Sequence, residues 1–125
     1  MKIDGREIAR GILDKLKNEV SDLKKGGVTP TLAVILVGND PASLSYIAQK
    51  KKAGEEIGAR VSIQYLASSI QQDELRHIIK NLNDDSSVHG IIIQRPLPKE
   101  ANIDTLVLHS TEVWTKSLVE QWCTF

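Results

Sequence analysis

Between Ile8 and Leu23 the apolar residues Ile8, Ile12, Leu16, Val20 and Leu23 recur at steps of three and four, with Lys, Glu and Asp between them. That spacing is one face of an amphipathic helix. Gly26-Gly27 closes it, because glycine accepts the left-handed backbone of a helix end and costs a helix interior about 1 kcal/mol. After Pro30 comes a continuous apolar run, residues 31–37, that stops at Gly38. A short run of this kind, bounded by Pro and Gly, is the pattern of a parallel strand covered on both faces. Gly38-Asn39-Asp40-Pro41 then supplies a turn, a carboxylate to cap orphan N–H groups and a proline suited to the first helical position. A helix is predicted from about Pro41 to Ile57, with Gly58 ending it.

Val61, Ile63 and Tyr65 alternate with Ser62 and Gln64, the period-two pattern of a second strand. A third helix is predicted to start near Ser69, with Leu75, Ile78, Ile79 and Leu82 as its stripe, and to stop in the polar stretch 83–87. A third strand follows over 88–93. Helices alternating with strands imply right-handed crossovers between parallel neighbours. The expected fold is therefore α/β, a three-layer domain with a small parallel sheet and helices on both faces. In such sheets ligands bind beyond the carboxyl ends of the strands, which directs attention to residues 38–50 and 94–98.

Composition narrows the classes of function. With 125 residues the chain fits one domain and has no room for a second, nucleotide-binding (Rossmann) domain. Sixteen basic residues balance sixteen acidic ones, so no long-range attraction to nucleic acid or an anionic membrane is expected. The charged start and the absence of a run of about 18 apolar residues argue against a signal peptide or a membrane span. The single cysteine, Cys123, allows no intrachain disulfide or cysteine-based metal cluster and fits a reducing, cytoplasmic setting. His77, His89 and His109 lack metal-ligand spacing, so no metal site is expected.

Tyr46 and Lys50 stand four apart on the second predicted helix, with Ser43 three before Tyr46, so the three share one side of it. They combine a stacking aromatic, an amine and a hydroxyl near a strand end. The same spacing also suits a packed tyrosine and a solvated lysine run, the commoner outcome. Tyr-x-x-x-Lys occurs in short-chain dehydrogenases too. Those need a glycine-rich turn after the first strand, whereas here Asp40 caps the helix with a carboxylate that would repel phosphate. At the end of the third strand stands Gln94-Arg95-Pro96-Leu97-Pro98. Two prolines remove N–H donors and make a stiff lip that cannot extend a sheet. Gln94, at its base, offers both an acceptor and donors, fit to orient an amine, to bind a heterocycle or merely to satisfy loop backbone groups.

Together these segments resemble the N-terminal, catalytic (folate-binding) domain of bifunctional methylenetetrahydrofolate dehydrogenase/methenyltetrahydrofolate cyclohydrolase. The resemblance rests on Ile3-Asp4-Gly5, the stretch 37–43, Ser43-Tyr46-Lys50, Glu55-Glu56-Ile57-Gly58 and, most specifically, residues 88–98. It implies that Lys50 is the catalytic lysine, that Tyr46 stacks on the folate's aminobenzoyl group and that Gln94 sets the lysine's position and protonation. Ser43 would be a polar support, and Pro96, Leu97 and Pro98 would line the substrate site. The implied activity is oxidation of 5,10-methylenetetrahydrofolate by hydride transfer to NADP, or NAD in some members, followed by hydrolysis to 10-formyltetrahydrofolate. The resemblance also implies a homodimer. Arg95 replaces a leucine common in the family and is expected to contact the substrate's glutamate tail or an acidic neighbour.

The resemblance covers residues 1–104. From Thr105 to Phe125 there is no Asp, Gly or Pro, and both tryptophans and the single phenylalanine fall here. This part, 105–125, reads as an atypical tail, frame-shifted or non-native, in place of the family's acidic pterin-binding segment. Activity impaired by truncation is the expectation. The alternative is a non-catalytic module that binds folate or assembles with another subunit.

Overall fold

A computed structural model describes residues 2–94 together with 97 and 98. Three helices alternate with three strands: α1 (Gly5–Lys25), β1 (Thr31–Val37), α2 (Pro41–Ile57), β2 (Arg60–Leu66), α3 (Gln72–Asp84) and β3 (Gly90–Ile93). The strands form one parallel sheet in the order β2-β1-β3. The α/β class and the parallel sheet predicted from the pattern are both present.

The central strand explains the layering. In β1, Ala33, Val34, Ile35, Leu36 and Val37 are all buried, at 2% exposure or less, so alternate side chains enter two cores. Val34 and Leu36 pack with Ile47 of α2 and with Leu32, Val61 and Ile63. Ile35 and Val37 pack with Leu75 and Ile79 of α3, flanked by Leu66, Ile78, Leu82, Ile91, Ile93 and Leu97. One helix thus covers each face, while α1 packs against α2.

Local chemistry sets the boundaries. Asp4 caps α1, its Oδ1 accepting from the N–H of Arg6 at 3.0 Å and of Glu7 at 3.4 Å, so the helix begins before Ile8. The start of α3 lies at Gln72 rather than near Ser69, because Ser68 and Ser69 form a turn in which Ile70 N–H donates to Ala67 O at 3.0 Å. β3 starts at Gly90 rather than Val88: Val88 N–H turns back to Asp85 O at 3.1 Å. His89 instead clasps the start of β1. Its N–H donates to Thr31 O at 2.9 Å, and its Nδ1 accepts from Thr31 N–H at 3.0 Å.

Candidate active site

The site is built where β1 and β3 end beneath the first half of α2. Gly38 leaves β1 with φ 85°, a left-handed conformation open to glycine at little cost. Its N–H donates to Leu66 O at 2.9 Å, tying the turn to β2. A Cβ at this position would lie 3.8 Å from Ser68 Cβ and 3.9 Å from Pro98 Cγ, so Pro98 borders the turn. Asp40 then caps α2, with Oδ2 accepting from Ser43 N–H at 2.8 Å and Ser43 Oγ at 3.0 Å. Ser43 is 1% exposed, and the hydroxyl identified from sequence secures the first turn of the helix.

One turn on, Tyr46 stands 58% exposed. Lys50, half-buried, lies a further turn down the same side. Its Nζ donates to Oε1 of Gln94 at 2.6 Å, across 44 residues of sequence. The sheet makes this meeting possible. Ile91 and Ile93 enter the core on the α3 side, so Gln94, next in line, projects towards α2. Its backbone is fixed too, since Gln94 N–H donates to Ile35 O at 2.9 Å. Lys51, the neighbouring cation, pairs instead with Glu55 at 4.0 Å on the exposed face.

Of the remaining sequence candidates, Leu97 packs with the α3-side core and Pro98 borders Gly38. Arg95, Pro96, His109 and the tail 105–125 lie outside the described residues. Two features were not picked out from sequence. The His89–Thr31 clasp needed the strand register to be seen. Gly54 had left a signal: a glycine inside a helical span, four residues after Lys50. A Cβ built there would collide with Cγ2 of Val61 on β2.

The sequence pattern of the tetrahydrofolate dehydrogenase/cyclohydrolase catalytic domain matches residues 3–111. The chain belongs to that family. Among its relatives, the bifunctional protein FolD of Bacillus subtilis is 51% identical over 96 residues, covering 77% of this chain and 34% of the relative. FolD of Nitrosopumilus maritimus is 46% identical over 99 residues, 79% of this chain and 34% of that protein. The chain thus spans about a third of the length of these FolD proteins. The crystal structure of the Campylobacter jejuni FolD enzyme superposes with a TM-score of 0.77 at 44% identity, covering 78% of this chain and 34% of that one. The Trypanosoma brucei FolD structure, a complex with NADP cofactor and inhibitor, gives 0.79 at 31% identity, covering 86% and 37%.

The family's nucleotide does not fit the described residues. A dinucleotide pyrophosphate needs free N–H groups at a helix N-terminus after a glycine-rich turn. Here the Asp40 carboxylate takes the Ser43 N–H and hydroxyl at the start of α2. No group of three His, Cys, Asp or Glu side chains among the described residues is placed to hold a metal ion. No described helix is long and apolar enough to cross a membrane.

Proposed function

We propose that this chain is the folate-binding, hydrolytic part of a methylenetetrahydrofolate dehydrogenase/cyclohydrolase, with Lys50, Gln94 and Tyr46 as its working residues. The observation that carries the reading is the Lys50–Gln94 bond of 2.6 Å beneath an exposed Tyr46. In the hydrolysis, water adds to the methenyl carbon bridging N5 and N10 of the folate. One water proton passes to the Lys50 amine; as the carbon–N5 bond breaks, the remaining hydroxyl proton leaves to form the formyl carbonyl and N5 takes up one proton, so the 10-formyl product forms with net release of one proton. The Gln94 carbonyl holds Nζ in place. Misplacement by about 1 Å can cost about 100-fold in rate, so such anchoring matters. Tyr46 offers its ring as a stacking surface for the aminobenzoyl group. Ser43 supports that ring by fixing the first turn of α2, and Pro98, beside Gly38, contributes to the rim.

The same proposal takes residues 1–104 as the catalytic domain and 105–125 as an atypical tail, in a cytoplasmic homodimer. Hydride transfer to NADP or NAD belongs to the complete family enzyme, and no step of it is assigned to the residues described. Lys50→Ala is expected to abolish hydrolysis of methenyltetrahydrofolate, followed by its absorbance, and to leave folate binding within a few-fold. Turnover that survives the substitution would refute the catalytic assignment. A second reading, an assembly module, draws on the exposed apolar residues Ile3, Ile8, Ile12 and Leu23 near or along α1. In that case neither wild type nor the Lys50 variant hydrolyses the substrate.

A further inference from the structure

We infer that Gly54 is a positioning residue: by having no side chain it lets α2 lie close enough to β2 for Lys50 to reach Gln94. The inference deepens the proposed function, because it rests on Lys50 and Gln94 as the working pair.

Glycine in a helix is unfavourable relative to alanine, and Gly54 stands in the last turn of α2, four residues before the C-cap Gly58. Its surroundings account for it. A Cβ at Gly54 would overlap Cγ2 of Val61 and lie 3.8 Å from Val61 Cβ. Val61 is β-branched and stiff at χ1, and it packs, as Leu32 and Ile63 do, against the α2-side core of Val34, Leu36 and Ile47, so turning its methyl away disturbs that packing. Carbon atoms rest at about 3.5–4.0 Å. Relief of the overlap therefore requires α2 and β2 to part by on the order of 1 Å.

Lys50 is one turn before Gly54, on the same face of the helix. The face that rests on Val61 is thus the one from which Lys50 extends to β3. Its bond to Gln94 is 2.6 Å long, and lengthening by about 1 Å would take it beyond hydrogen-bond range. Gln94 does not follow the helix, since its N–H is fixed to Ile35 O on β1. Gly54 and Val61 together set the gap that the lysine must span.

The test reads the bond without substrate. In amide-correlated NMR spectra of the full chain, the Gln94 side-chain NH2 signals are identified by their loss in Gln94→Asn. Lys50→Met marks their position with the bond broken. Gly54→Ala is expected to move them most of the way to that position while the rest of the spectrum stays dispersed. Gly54→Ala/Val61→Ala, with the methyl accommodated, is expected to return them. Unmoved signals in a folded Gly54→Ala protein would overturn the inference, as would failure of the double variant to restore them or Gln94 signals indifferent to Lys50→Met. If Gly54→Ala does not fold, the double variant decides: folding with wild-type Gln94 signals supports the inference, and failure to fold overturns it. Absence of folate hydrolysis in the wild type would count against the proposed function alone, leaving this result intact.

Discussion

Gly11, in the middle of α1, has nothing within 4 Å of the place where a Cβ would stand. Gly11→Ala should therefore stabilise the fold by about 0.5–1 kcal/mol, seen as a higher urea midpoint with an unchanged slope. Gly58 should respond in the opposite sense. It ends α2 at φ 86°, where an L side chain costs about 1–2 kcal/mol, and an added Cβ would also come within 3.1 Å of Lys24 Nζ. At this scale the sequence was unevenly informative. Tyr46 and Lys50 were legible as a pair, because helical spacing is local. Gln94 could be named as an interesting amide, but its partner, 44 residues away, depends on which strands are neighbours. The collision behind Gly54 depends on packing between α2 and β2 and has no local signature beyond the glycine itself.

Between α3 and β3, Asp85 shapes the turn through its side chain. Its Oδ1 accepts from Ser87 Oγ at 2.6 Å and from Ser87 N–H at 2.9 Å, while its own N–H donates to Asn81 O at the end of the helix. The Ser87 hydroxyl first, and then its N–H, hold the carboxyl below its ordinary value of 3.8, against a small opposing effect of desolvation. A folded-state value below the unfolded one means that the stabilisation is complete above about 3.8 and fades as the pH falls through the lower folded value. Asp85→Asn should thus be less stable than wild type at neutral pH, with the difference narrowing below that range, as measured by paired urea titrations at several pH values. Side-chain bonds of this sort also explain where element limits escaped the sequence. Hydrophobic period alone ran β3 back to Val88, while the Asp85 turn and the His89 clasp delay it to Gly90. The long elements α2 and β1 were legible end to end, since Pro, Asp and Gly stand at their boundaries as the capping chemistry requires.

Across the whole described molecule, apolar burial is concentrated around one strand. β1 feeds both cores, and α2 and α3 each seal one face with a buried isoleucine, Ile47 at 1% and Ile79 at 5% exposure. α1 carries a regular apolar stripe in the sequence, yet Ile8 and Ile12 are 54% and 55% exposed, and Val20 alone of that stripe is buried. Periodicity identifies a face that prefers cover, but it does not say which body provides it. The two helices should consequently differ in sensitivity. Ile79→Ala removes buried methylenes from a packed core and is expected to cost about 2–5 kcal/mol. Ile12→Ala trades an exposed isoleucine for a better helix former and should stay within about 0.5 kcal/mol of wild type. Urea unfolding of both variants, each at two protein concentrations, checks the contrast. A loss at Ile12 comparable to that at Ile79, with a midpoint that rises with protein concentration, would mean that a second copy of the chain covers α1, because a bound partner stabilises the folded state by mass action.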